Sequence, residues 1–148
     1  MRIAVGSDEI TPLATAVVDE LVRLGHEVDA VGPLAGGEQE WAEVSSEVAR
    51  RVAAGEAERG VVLCWSGTGA SIAANKVDGA RAALCGDAET ARMARRYNHA
   101  NVLALSLRVT GEPLGREILA AFLEEPEGTD DFDVRNVAVL RRLEAGEG

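Results

Sequence analysis

Residues 61–76 read Val-Val-Leu-Cys-Trp-Ser-Gly-Thr-Gly-Ala-Ser-Ile-Ala-Ala-Asn-Lys. A continuous apolar run of strand length passes through Cys64 into a glycine-rich turn and then into small residues that open a helix. This is the strand-turn-helix unit of a parallel α/β sheet. Gly67 and Gly69 let the backbone turn tightly with its amides outward, and a helix beginning near Ala70 adds the positive end of its dipole. Such a turn suits an anion. Cys64 falls at the carboxyl end of the strand, where parallel sheets place ligands, so a thiol and several amide donors face one small volume. The pairing points to proton transfer on a small anionic substrate.

Outward from this unit, short apolar runs alternate with amphipathic stretches. Strands are expected at Arg2 to Gly6, His26 to Val31, Gly60 to Cys64, Ala80 to Cys85 and Val102 to Ser106. That rhythm is a doubly wound parallel sheet. Thr11-Pro12 starts a helix and Gly25 stops it, with Leu13, Val17, Leu21 and Leu24 on one face. Further helices are expected over Glu40 to Ala54, Ala70 to Lys76, Ala88 to about Asn98, and Pro113 to Glu124. The acidic segment Glu124 to Asp133, broken by Pro126 and Gly128, reads as a surface connection, with Asp130, Asp131 and Asp133 as a solvated patch. A last helix from about Val134 to Ala145 carries a stripe of Val137, Val139, Leu140 and Leu143. It is a candidate for packing on another subunit, although packing within the chain is the commoner fate of such a stripe.

The 148 residues are expected to make one domain, 1–148, with an aliphatic core, since aromatic residues are only 3%. A formal net charge of -10 argues against nucleic acid or an anionic membrane surface as a partner. An anionic metabolite must therefore meet locally placed arginines. Two cysteines in or beside strands and no hydrophobic leader lead to the expectation of a reduced, cytoplasmic protein. No apolar run is long enough to span a bilayer.

The glycine turn lacks the third glycine of a dinucleotide fingerprint, which would fall at Ile72, and no Walker A pattern occurs. A phosphatase loop would need an arginine where Ala70 stands. His26 and His99 have no cluster of ligands at metal spacing, so neither metal nor cofactor is expected. The remaining candidates are Cys64, Ser66 and the amides after them. A strand cysteine is more often a small core residue, the reading preferred for Cys85 and, taken alone, the commoner one for Cys64 too, although Cys64 beside an anion turn can serve as a base.

The run ending in Ser71-Ile72-Ala73-Ala74-Asn75-Lys76 resembles the type B ribose-5-phosphate isomerases and the related galactose-6-phosphate isomerase subunits. So do Ile3-Ala4-Val5-Gly6-Ser7-Asp8, Glu40-Trp41 where the family often has Asp-Tyr, Asn98 with Asn101-Val102-Leu103-Ala104, and Arg108. The resemblance implies a Rossmann-like three-layer αβα sandwich with a five-stranded parallel sheet. It also implies a C-terminal helix used in dimerisation, and a homodimer or homotetramer with sites at the subunit interface. No cofactor is implied. The implied reaction interconverts an aldose phosphate and its ketose through a cis-enediol. Cys64 would be the base, Ser66 its hydroxyl partner, and the amides of Gly67, Thr68 and Gly69 the holders of the enediolate oxygen. Asp8 would bond sugar hydroxyls, with Ser71, Asn98 and Trp41 lining the pocket and Arg108 and Arg135 supplying charge for phosphate.

This chain departs from the family at four places. Asp8-Glu9 stands for Asp-His, Tyr97 for the histidine that opens the sugar ring, Trp41 for tyrosine, and Asp131 for an arginine four residues before Arg135. His99 lies two positions beyond Tyr97, roughly the opposite face of a helix unless the helix has ended. Tyr97 also reads as a packed aromatic, Trp41 as an interface anchor, and His99, Arg108 and Arg135 as solvated or paired surface groups. Ribose 5-phosphate with ribulose 5-phosphate is the default substrate pair. A four-carbon 4-phosphate, whose ring oxygen is esterified, would need no ring opening. The remaining alternative is a non-catalytic sugar-phosphate-binding chain or partner subunit.

Overall fold

The computed structural model describes residues 1–147. Strands β1 (Arg2–Ser7), β2 (Glu27–Val31), β3 (Arg59–Cys64), β4 (Ala82–Leu84) and β5 (Val102–Ser106) are all parallel, in the order β2-β1-β3-β5-β4. The helices are α1 (Pro12–Arg23), α2 (Trp41–Ala53), α3 (Thr68–Asn75), α4 (Ala88–Asn98), α5 (Glu112–Glu124) and α6 (Asp131–Glu144). The expected α/β sandwich is the observed one. No helix among the described residues is long and apolar enough to cross a membrane.

Side-chain alternation along each strand builds two unlike cores. Ile3, Val5, Val61, Leu63, Leu103 and Leu105 face α1, α4 and α5, where Leu21, Ile118, Leu119 and Phe122 complete a bulky layer. Ala4, Val62, Cys64, Val102 and Ala104 face α2 and α3, where Val44, Val48, Ala70 and Ala74 form a thin one. Each fully buried Leu or Ile contributes roughly 2 kcal/mol, so the bulky layer is the main anchor. The thin layer brings α2 and α3 close to the sheet, with Val44 occupying the space a side chain at Gly6 would need.

Local chemistry sets the boundaries. Thr11 caps α1 by accepting from the Ala14 amide at 3.2 Å, with Pro12 at the first position, as expected. Helix α3 begins at Thr68, two residues earlier than expected, because Gly67 adopts φ 76° and starts the helix itself. Helix α6 also begins early. Asp130 accepts from the Phe132 amide at 2.8 Å and Asp131 and Asp133 lie in the first turn, so residues read as a solvated loop cap a helix and place negative charge at the positive end of its dipole. Strand β4 is shorter than the expected Ala80 to Cys85. Its outer edge is covered by Asn75, whose side chain accepts from the Ala82 amide at 2.8 Å and donates to the Ala82 carbonyl at 2.9 Å. A 3-10 turn over Gly32–Ala35 adds an element that the sequence pattern does not announce.

Helix α6 stands outside the sandwich and packs on α4. Only Val137 of its apolar residues is buried, while Phe132, Val134, Val139, Leu140 and Leu143 are exposed.

Candidate active site

The strand order reverses direction at β1 and β3, which are neighbours with Ser7 opposite Leu63. A crevice opens at the carboxyl ends of such a strand pair. Asp8 follows β1 there and Cys64 ends β3. The Cys64 thiol is only 5% exposed, packed with Ala70 and Ala104 in the thin core, and the Ala70 amide donates to its sulfur at 3.4 Å. The sulfur therefore forms the floor of the glycine turn. Cys85 has the structural role expected of it: it is buried, and burial pushes its thiol up to about 11.

Above the sulfur, the turn is fixed sterically. Gly67 has a positive φ, and a Cβ there would lie 3.0 Å from the Leu105 carbonyl and 2.5 Å from Leu84. The amides of Gly67, Thr68 and Gly69 donate to no protein acceptor among the described residues. Three successive amides at a helix start are thus left free to donate to a ligand. Ser66 turns to Thr68, their hydroxyls 2.7 Å apart, and makes no bond to Cys64.

Beside the turn, Asp8, Glu9 and Trp41 line a cleft of about 330 Å³ together with Glu38, Gln39 and Glu40. The larger cleft, about 550 Å³ between β2 and α2, contains none of the expected site residues. One carboxylate oxygen of Asp8 is buried without a partner, and burial, with Glu9 adding to it, raises its proton affinity. Arg108 follows β5 on the same edge, exposed and in no ion pair among the described residues.

The remaining expected residues lie elsewhere. Helix α4 starts after the carboxyl end of β4 and finishes before the amino end of β5, so Tyr97, Asn98 and His99 sit at the opposite edge. Arg135 is one turn into α6, whose next residues Asn136 and Val137 share a groove with Tyr97 and Asn98. Strands of five or six residues separate the edges by roughly 17–20 Å. One chain alone does not bring Asn98 or Arg135 to Cys64.

His99 is not a surface group. It ends α4 in the left-handed conformation, φ 50°, is 8% exposed, and its Nε2 lies 2.9 Å from the Gly128 carbonyl with Nδ1 3.7 Å from Glu127. Arg95 joins the same strap. Buried to 2% exposure, it donates to the carbonyls of Ala100 at 2.6 Å and Glu125 at 3.2 Å and pairs with Glu127 at 3.3 Å. These bonds fix the 125–130 loop, and with it the base of α6, to the end of α4. Tyr97 is 41% exposed, its ring 5.8 Å from the Arg96 guanidinium.

Sequence reasoning gave no role to Ser106 or to Asn101, which it quoted only within a run shared with the family. Asn101 accepts from the Arg81 amide at 2.7 Å and donates to the Gly79 carbonyl at 2.9 Å, tying the entries of β4 and β5. The one signal for either is an Asn and a Ser at the two ends of a strand otherwise wholly apolar.

A family model described as Ribose/Galactose Isomerase matches residues 3–139. The chain is 41% identical over 125 residues to galactose-6-phosphate isomerase subunit LacB of Clostridium acetobutylicum, covering 84% of this chain and 72% of that protein. It is 37% identical over 126 residues to D-erythrulose-4-phosphate isomerase of Pectobacterium atrosepticum, covering 84% and 83%. The structure of Clostridium thermocellum ribose-5-phosphate isomerase B superposes with a TM-score of 0.90 at 36% identity, over 100% of both chains.

Proposed function

The chain belongs to the ribose/galactose isomerase family, and from that premise we propose that it isomerises a sugar phosphate presented in open-chain form, a four-carbon 4-phosphate before ribose 5-phosphate. The observation that carries this substrate class is the fate of the histidines. His99 is committed to the Gly128 strap, His26 lies 3.4 Å from the amino-terminal nitrogen at the far edge of the sheet, and Tyr97 stands where the resemblance calls for the ring-opening histidine. A phenol hydroxyl is a much poorer proton donor to a ring oxygen than an imidazolium. A tetrose 4-phosphate cannot close a furanose and needs no such donor.

In this reading Cys64, as thiolate, takes the proton from the carbon beside the carbonyl and returns it to the neighbouring carbon. The amides of Gly67, Thr68 and Gly69 hold the enediolate oxygen, and one such donor is typically worth about 3 kcal/mol of barrier. Asp8, with its raised proton affinity, and Ser66 exchange hydroxyl protons, Ser71 in the first turn of α3 adds a further hydroxyl for the substrate, and Trp41 walls the sugar's flank. Arg108 draws in the phosphate. Asn98 and Arg135 enter from a second copy of the chain, seated through the exposed apolar face of α6, so the active unit is a homodimer or a homotetramer. With two unpaired cysteines and no cofactor in the scheme, the cytoplasm is the compartment it fits.

Measured kcat/KM values for D-erythrulose 4-phosphate and ribose 5-phosphate test the substrate class. Without a ring-opening acid, ribose 5-phosphate is expected to be worse by about a hundredfold. Equal or better turnover of ribose 5-phosphate overturns the preference. Thermal stabilisation by both sugars with turnover of neither assigns the chain to binding alone.

A further inference from the structure

We propose that Ser106 is a positioning residue, its hydroxyl setting Arg108 against the Cys64 turn; this rests on the isomerase reading of that site. Ser106 is the last residue of β5, registered opposite Cys64, and is 5% exposed. Past this pair the regular ladder stops, yet two chain segments bearing site residues must still be held together. Backbone bonds do part of this: the Leu107 amide donates to the Cys64 carbonyl and the Arg108 amide to the Trp65 carbonyl, each at 2.9 Å. The Ser106 hydroxyl does the rest. It donates to the Trp65 carbonyl at 2.9 Å and accepts from the Val109 amide at 3.3 Å, so a single oxygen bridges the turn after β3 and the turn after β5.

The Trp65 carbonyl is thereby pinned from two directions, one residue from the sulfur and one residue from Ser66. The peptide of Val109 is pinned one residue from the Arg108 guanidinium. Removing the hydroxyl takes the acceptor from the Val109 amide and one donor from the Trp65 carbonyl, and so loosens the tie between the two turns. A displacement of about 1 Å from productive geometry costs on the order of a hundredfold in rate, so a loosened bridge is expected to cost about tenfold.

The test is a double-mutant cycle of Ser106→Ala and Arg108→Gln, read as kcat/KM with a sugar phosphate and as affinity for inorganic phosphate by calorimetry. Ser106→Ala alone is expected to lower both about tenfold. Added to Arg108→Gln it should lower phosphate affinity by less than about twofold, because the group it positions is already gone. Ser106→Thr, which keeps the hydroxyl, should restore both readouts. Should Ser106→Ala not fold, Ser106→Cys, a weak donor and acceptor of similar shape, takes its place in the cycle with the same expectation. Losses that add in the double variant, or a Ser106→Ala protein with unaltered phosphate affinity, overturn the proposal. Failure of the wild-type chain to turn over any sugar phosphate removes the isomerase reading, and the phosphate affinities then decide the positioning role by themselves. A wild-type chain that neither turns over sugars nor binds phosphate overturns both.

Discussion

The six-membered ring of the Trp41 indole rests against the α-carbon of Gly69, so closely that a Cβ built there would lie 2.9 Å from Cε3. The first residue of α2 thus leans on the first turn of α3, and the acidic cleft beside Asp8 shares a wall with the amide turn. Gly69→Ala is expected to push the indole outward and lower kcat/KM about tenfold, the cost of a displaced wall. Combining it with Trp41→Ala should remove the clash and recover part of the loss. Fluorescence in a Trp65→Phe background reports the displacement.

Gly67 tolerates substitution poorly. A side chain there must accept φ 76° and approach the Leu105 carbonyl, so Gly67→Ala is expected to destabilise the fold by about 2 kcal/mol. Gly86, with open space around it, serves as the control, and Gly86→Ala should fall within about 0.5 kcal/mol of wild type. Urea unfolding of both variants measures the difference.

The layers and the strand ends were legible because period and punctuation agree locally. Val61 to Cys64 is continuously apolar, Thr11-Pro12 is a cap, and Gly67 and Gly69 break the pattern just past the β3 strand. Cys64 and the glycine turn are legible from that same strand end, whereas Asp8, Trp41 and Arg108 were legible only through the family resemblance; the fold gathers all of them on one edge. The parts that were not legible depend on partners distant in the chain. Nothing near His99 announces that its ring meets Gly128, and nothing near Asn75 announces that it closes the edge of β4. The early start of α6 was missed for a different reason: Asp130, Asp131 and Asp133 suit a solvated loop as well as a helix start. Only the geometry of the Phe132 amide separates the two readings.

The strap at the end of α4 carries a stability signature. Arg95→Leu leaves the carbonyls of Ala100 and Glu125 without their donor in a buried place and is expected to cost about 3 kcal/mol in chemical denaturation. Glu127→Gln, which removes only the half-exposed partner, should cost less than about 1 kcal/mol. The same ranking should appear in sedimentation, since the strap holds the base of α6.

Glu20 sets an acid limit. Hydrogen bonds from Arg23, and then from Arg116, hold its carboxyl at about 2 against an ordinary value of 4.5. A group whose proton affinity is lowered by folding stabilises the fold above its unfolded value and loses that contribution as pH falls through the folded one. Stability should therefore drop between pH 4.5 and about 2, and Glu20→Gln should flatten that part of the pH profile. An unchanged profile in the variant places the acid sensitivity on other carboxylates.

Incorporation of solvent deuterium at the carbon beside the carbonyl of the sugar phosphate tests the role of Cys64 most directly. Wild-type protein should incorporate deuterium, and Cys64→Ala should lose at least about a hundredfold in rate while the sugar phosphate still raises its melting temperature. Exchange by Cys64→Ala at the wild-type rate would show that another group moves the proton.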